Sequence, residues 1–156
     1  MAQSPWLANA ALLVAGPEPK MVETLRPLAD KLAADITIDD AVRETDARWL
    51  PDGEFIATVT RLFAQPTVPP AVGWEPSSDA GSRVLDGIRR AETAGGGDIV
   101  VCSGGRALTS LLLTIGVVDV DHAFSHWQRI AMPDIAVLDI PTDGRPGVIR
   151  GFVGTG

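Results

Sequence analysis

Five consecutive residues, Cys102-Ser103-Gly104-Gly105-Arg106, bring a thiol, a hydroxyl, two positions without side chains and a guanidinium into one turn. Ile99-Val100-Val101-Cys102 is a continuous apolar run, and Arg106–Ile115 is almost wholly apolar after its first residue. The turn therefore joins a strand to a buried helix. In a parallel α/β sheet that is where free helix N–H groups face a ligand. Glycines admit a ligand to the backbone, the helix dipole favours an anion, and Arg106 could turn toward it. The same glycines also suit plain helix-on-strand packing, the more ordinary outcome. Ser103 could bond an anion, act as a residual nucleophile or, most simply, cap the helix. Familiar catalytic patterns do not fit. A cysteine phosphatase loop places five residues between Cys and Arg where this chain has three. A nucleophile elbow needs glycine where Val101 stands, and there is no Walker A lysine.

The elements that position this turn can be read from hydrophobic periodicity. Ala10–Val14 is a short apolar run ending at Gly16-Pro17, a buried strand and a break. Met21, Leu25, Leu28 and Leu32 form one apolar stripe, predicting an amphipathic helix over Lys20–Ala33 with Pro19 at its start. Pro27 inside it predicts a kink or a late start. Ile36–Ile38 alternates as a strand, Asp52–Phe63 reads as a helix with Phe55, Val59 and Leu62 inward, and proline-rich Thr67–Gly73 is loop. Ser78–Ala94 is a helix with Val84, Leu85, Ile88 and Ala91 inward, stopped by Gly95-Gly96-Gly97. Ile135–Ile140 and Val148–Val153 are strands, with Asp143-Gly144 and Pro146-Gly147 suggesting a hairpin-like return. Alternation of strand and helix predicts an α/β three-layer sandwich with a mostly parallel central sheet.

Bulk properties narrow the function classes. A chain of 156 residues is the size of one domain, so residues 1–156 are read as a single domain. Net charge is −7 with the basic residues scattered, which argues against nucleic acid and against anionic membranes. The N-terminal apolar run is too short to span a bilayer and lacks a basic flank, leaving a cytoplasmic location as the default. One cysteine precludes an internal disulfide. His122 and His126 with Asp119 and Asp121 lack a further strong ligand, so no metal and no cofactor are expected. Trp49, Trp74 and Trp127 are expected to be packing residues.

The order of motifs resembles the histidine phosphatase superfamily, the phosphoglycerate mutase-like proteins. Asp98-IVVCSGG-RALTSLLLTIG-Val117, then Trp127 and Met132-Pro133-Asp134-Ile135-Ala136-Val137, looks like the family's strand, S-H-G-G turn, buried helix and following strand. Trp74-Glu75-Pro76-Ser77-Ser78 up to Arg83-Val84-Leu85 resembles its G-E-S segment, and Gly16-PEPKMVE-Thr24 its S-P-x-x-R-x-x-x-T turn. Val42–Asp46 matches the L-x-E segment, with Glu44 as the family's acid. A second alignment makes Leu12–Pro19 the family's first strand and its R-H-G-E turn, with Ala15 and Gly16 in place of arginine and histidine. The first alignment is favoured because the helix, the strand and Glu44 then come at family spacing. It removes a strand central to the family's sheet, so either the flanking strands pair directly or another chain fills the gap, and it predicts a truncated or rearranged N-terminal part, an exchanged element or tight dimerisation.

The resemblance implies a covalent phosphohistidine chemistry whose groups are missing. No R-H-G occurs, Ser103 replaces the histidine of S-H-G-G, and Lys20 stands for the second arginine without its bidentate fork. Glu44 alone is retained. Lys20, Ser103, Gly104, Gly105 and Arg106 are the expected ligand residues, with Glu44 and Ser103 the residual catalytic candidates. The expected function is that of a catalytically inactive, phosphoglycerate mutase-like protein binding a partner protein or a phosphorylated small molecule. The alternatives are a weak phosphatase or altered hydrolase using Ser103, and a structural subunit of a homo-oligomer.

Overall fold

The structure, a computed structural model, describes residues 7–51, 53–95, 97–141 and 146–152. Its contacts divide the chain into two compact units, Met1–Glu44 with Arg83–Gly104 and Thr45–Ser82 with Gly105–Gly156. The class is the expected one: α/β, with a parallel three-stranded sheet and five helices. No helix of the described residues is long and apolar enough to cross a membrane.

In the first unit β1 (Ala10–Ala15) is the central strand, flanked in parallel by β2 (Ile36–Ile38) and β3 (Asp98–Cys102). Leu13, Val14 and Ala15 are buried, as a central strand requires. β3 is an edge strand, so its apolar run is only half-buried rather than covered on both faces. Pairing of β1 on both sides leaves no seam. Either alignment gives this order: the second with β1 as the family's first strand, the first with the strands that flank the lost one paired directly. Helix α1 (Pro19–Leu32) buries Met21, Leu25, Leu28 and Ala29 and runs on through Pro27, neither ending there nor starting late. A 3₁₀ turn, Asp40–Val42, follows β2. The later part of α3 (Ser77–Gly95) packs on this turn through Gly87, and Arg83 Nη1 donates to the carbonyls of Ala41 and Arg43 at 2.7 and 3.2 Å.

The second unit gathers α2 (Glu54–Ala64), the start of α3, α4 (Gly105–Thr114), α5 (Val120–Arg129) and an antiparallel pair, β4 (Val137–Asp139) and β5 (Gly147–Arg150). Val59, Leu62, Phe63, Trp74 and Ala123 form its core. Phe55 departs from expectation: it is 42% exposed, and Thr58 and Phe63 take the inward positions. Helix α5 has no counterpart among the elements that periodicity predicts. Asp119 caps it, accepting the His122 N–H at 2.9 Å. The terminal strands are shorter than the apolar runs that suggested them and form their own sheet; the Asp143-Gly144 turn and Val153 lie outside the described residues.

α4 is deeply buried, as its composition requires, through Ala107, Thr109, Ser110, Leu111 and Leu112. Ser77 Oγ donates to Ser110 Oγ at 2.9 Å. A methyl group on Gly81 would collide with the Ser110 carbonyl and the Thr114 hydroxyl. Gly81→Ala is therefore expected to destabilise the protein by about 1–3 kcal/mol. Gly147→Ala, which meets no atom within 4 Å, is expected to leave stability nearly unchanged. Urea midpoints of the two variants against the parent check both.

Candidate functional site

The carboxyl ends of β1 and β3 lie side by side because the ladder continues beyond the strands. Gly16 N–H donates to Cys102 O at 3.1 Å, and on the other side Asp39 N–H donates to Ala15 O at 3.0 Å. The loops that leave these ends, Gly16-Pro17-Glu18 and Ser103-Gly104, are thereby fixed as neighbours. Gly16 has no room for a side chain. A Cβ there would stand 2.6 Å from Met21 Sδ, 2.7 Å from Glu18 Oε2 and 2.9 Å from the Val42 carbonyl oxygen.

Two carboxylates occupy this end of the first unit. Glu18 Oε1 accepts the backbone N–H of Glu44 at 2.8 Å. Its other oxygen, Oε2, is buried and has no hydrogen-bond partner. The Glu44 carboxylate lies against the Gly104 backbone so closely that a Cβ on Gly104 would collide with it. Ser103 Oγ is also buried without a partner. Ser103 therefore does not cap α4, contrary to its most ordinary reading. Lys20 is exposed in the first turn of α1. Burial first, and the Glu18 charge second, push the Cys102 thiol up to about 11, with Lys20 pulling the other way. At neutral pH it is a thiol, not a nucleophile.

The rest of the predicted ligand set belongs to the second unit. Gly105 opens α4 and is buried, facing Trp127 and Met132. The Arg106 guanidinium lies over the rings of Phe55 and Trp74, 5.6 and 5.0 Å from their centroids. Trp74 is fixed in turn by its Nε1–H, which donates to the Arg48 carbonyl at 3.1 Å. A guanidinium over two aromatic faces is held by cation–π attraction. Trp74 and Trp127 pack as expected, but Trp49 is 83% exposed.

Both histidines sit on α5. His122 Nδ1 is 2.6 Å from Asp119 Oδ1, a contact that holds the Asp119 carboxyl below its usual range. His126 packs its ring against Phe152 with centroids 5.8 Å apart, and its Nε2 is buried without a partner. Burial, then the Arg129 charge, lower its pKa. Among the described residues no three His, Cys, Asp or Glu side chains group to hold a metal ion.

The arrangement offers acceptors, one unpaired hydroxyl and a protonated thiol. It offers no base bonded to Ser103, so that hydroxyl is not activated. Sequence reasoning does not propose Glu18 as a site residue, although the second alignment sets it at the acid of the R-H-G-E turn. A Gly-Pro-Glu between a strand and the helix after it, set at the carboxyl edge of the sheet, is the signal available.

No protein-family model matches the sequence, and no curated protein matches it. Solved structures do. The chain is similar to the protein described as mycobacterial hydrolase 1, with a TM-score of 0.73 at 15% identity over 94% of this chain and 77% of that one. It is similar to mycobacterial glucosyl-3-phosphoglycerate phosphatase, with a TM-score of 0.69 at 15% identity over 94% and 79%. The same phosphatase has been solved with inorganic phosphate, and that structure matches with a TM-score of 0.57 at 18% identity over 74% and 63%. YhfR of Bacillus stearothermophilus matches with a TM-score of 0.66 at 16% identity over 90% and 73%. These neighbours are histidine-phosphatase-family proteins, and with its parallel sheet, its S-G-G turn and its buried α4 this chain has their phosphoglycerate mutase-like fold.

Proposed function

We propose that this chain is a non-catalytic protein of histidine-phosphatase fold, which works by binding and not by phosphoryl transfer. The observation that carries this reading is Gly16. On the second alignment Gly16 stands where the family has its nucleophilic histidine; on the first, that position is lost together with its strand. The space a side chain would need is filled by Met21, Glu18 and the Val42 carbonyl. Ser103 stands where the second histidine would be, with a hydroxyl that no base contacts.

Binding is what such a fold can still do, with a partner chain or a phosphorylated metabolite as the ligand. The inorganic phosphate bound by a structural neighbour supports the second class. An altered hydrolase built on Ser103 gains no support, because neither an activated nucleophile nor a base is in place.

Wild-type protein is expected to turn over p-nitrophenyl phosphate and 3-phosphoglycerate no faster than buffer, and Gly16→His is expected not to restore turnover. Turnover that disappears on Ser103→Ala or Glu44→Gln would overturn the reading. Cys102 gives an independent check of a dry, acidic environment. At near-neutral pH iodoacetamide is expected to alkylate it about 100-fold more slowly than a small thiol. The neutral thiol is favoured in the folded chain, whereas the unfolded thiol ionises near 9.0 and the folded one near 11. Its contribution to stability is thus complete below 9.0 and is lost as pH rises toward about 11. Denaturant midpoints of the parent and Cys102→Ala across that window should differ in slope.

A further inference from the structure

In the second unit an open cavity of about 290 Å³ is lined by Ile56 of α2, Gly105 of α4, Trp127 and Gln128 of α5, and Ile130 and Met132 just beyond it. No charged side chain is among them. Ile56 and Met132 are exposed large apolar residues, and apolar exposure around a concave wall marks a place where something binds. The half-buried indole of Trp127 is packed by the rings of Phe55, Phe63 and Phe124, with centroids 6.1, 6.5 and 5.8 Å away. Its N–H is a donor and nothing else, and such groups ordinarily find an acceptor in a folded chain. Trp74 Nε1 does so at the Arg48 carbonyl, whereas none of the described residues accepts from Trp127 Nε1. That nitrogen stands 3.5 Å from the point a Cβ on Gly105 would occupy, and Met132 Cε stands 3.5 Å from the same point. Having no side chain, Gly105 thus leaves room between two walls of the cavity, within ordinary contact distance of both.

We propose that this cavity binds a small uncharged molecule: an apolar ring or short chain carrying one carbonyl or ether oxygen that accepts the Trp127 Nε1 hydrogen. A donor set in an otherwise apolar wall decides which chemistry gains there. A charged ligand would lose its hydration with no counter-charge among the lining residues. A hydrocarbon would strip water from the indole N–H and return no hydrogen bond. An apolar body with one neutral acceptor avoids both losses, which is the usual composition of a small-molecule site. A cavity of about 150 Å³ accommodates benzene, so one of about 290 Å³ takes roughly ten non-hydrogen atoms. The inference goes beyond the non-catalytic reading and does not rest on it, since all six lining residues belong to the second unit.

The test follows the indole N–H resonance of Trp127 in the full, ¹⁵N-labelled chain at near-neutral pH, titrated with three probes of equal size. Acetophenone carries a neutral acceptor, isopropylbenzene carries none, and benzoate is charged. Acetophenone is expected to move the resonance downfield and saturably, with a dissociation constant on the order of millimolar. Isopropylbenzene is expected to cause no downfield movement, and benzoate to bind at least about tenfold more weakly than acetophenone. Gly105→Ala sets a methyl group in ordinary contact with Trp127 and Met132, so it is expected to fold and to weaken acetophenone about tenfold. Ile56→Asp, a change at an exposed position of α2, brings a charge to the rim and should weaken it similarly. The inference is overturned by the absence of saturable movement with acetophenone, by unchanged affinity in the folded variants, or by benzoate binding as tightly. Equal downfield movement with isopropylbenzene overturns it as well. So does movement with protein concentration alone, because a second copy of the chain then covers the cavity. If neither variant folds, the order of the three probes on wild type decides. Turnover of a phosphomonoester would remove the non-catalytic reading and leave this inference standing.

Discussion

In a three-stranded sheet only the middle strand must satisfy its backbone on both sides, and in this chain that strand is β1. Its N–H and C=O groups are buried, so they must be paired with β2 and β3, and the pairing runs one residue past each strand end. The bond from Gly16 to Cys102 is the last rung of that ladder. It forces the loop after β1 against the loop after β3, and it brings the backbone at residue 16 so near the Val42 carbonyl that only glycine fits. Glu18 Oε2 and Ser103 Oγ on these loops are buried without hydrogen-bond partners.

That packing governs the chemistry. A pocket for phosphate needs cationic or donor groups that are not spent elsewhere. Here the Arg83 guanidinium donates to the Ala41 and Arg43 carbonyls, Arg106 is drawn onto Phe55 and Trp74, and Lys20 is exposed on α1. The carboxylates of Glu18 and Glu44 lie beside the turn instead. The Glu18 charge is felt at Cys102, which burial first and Glu18 second push toward the neutral thiol.

Most of the architecture was legible because it rests on local periodicity. The stripe Met21-Leu25-Leu28 did bury one face of α1, Ile36–Ile38 did form β2, and the glycine run did stop α3. Readings failed where a local pattern met a tertiary choice. Phe55 has the spacing of a core residue, yet it serves as one of the two rings under Arg106. Ser103 has the type and place of an N-cap, yet its hydroxyl is left without a partner. Helix α5 was hidden because Val120–Arg129 carries Asp, His, Ser and Gln among its apolar residues, and its clearest start signal is a single Asp at 119.

The sequence by itself determined that no R-H-G nucleophile exists and that a glycine-rich turn links an apolar strand to an apolar helix. It also carried enough ordered motifs to point to the histidine-phosphatase fold. Which strands pair was decided only by the tertiary structure, since strand order depends on hydrogen bonds between segments nearly ninety residues apart. Likewise only the tertiary structure set Glu18 beside Glu44 and turned Arg106 toward the aromatic rings. Spacing along a chain reports which face of an element a side chain takes; it does not report which partner from another element reaches it first.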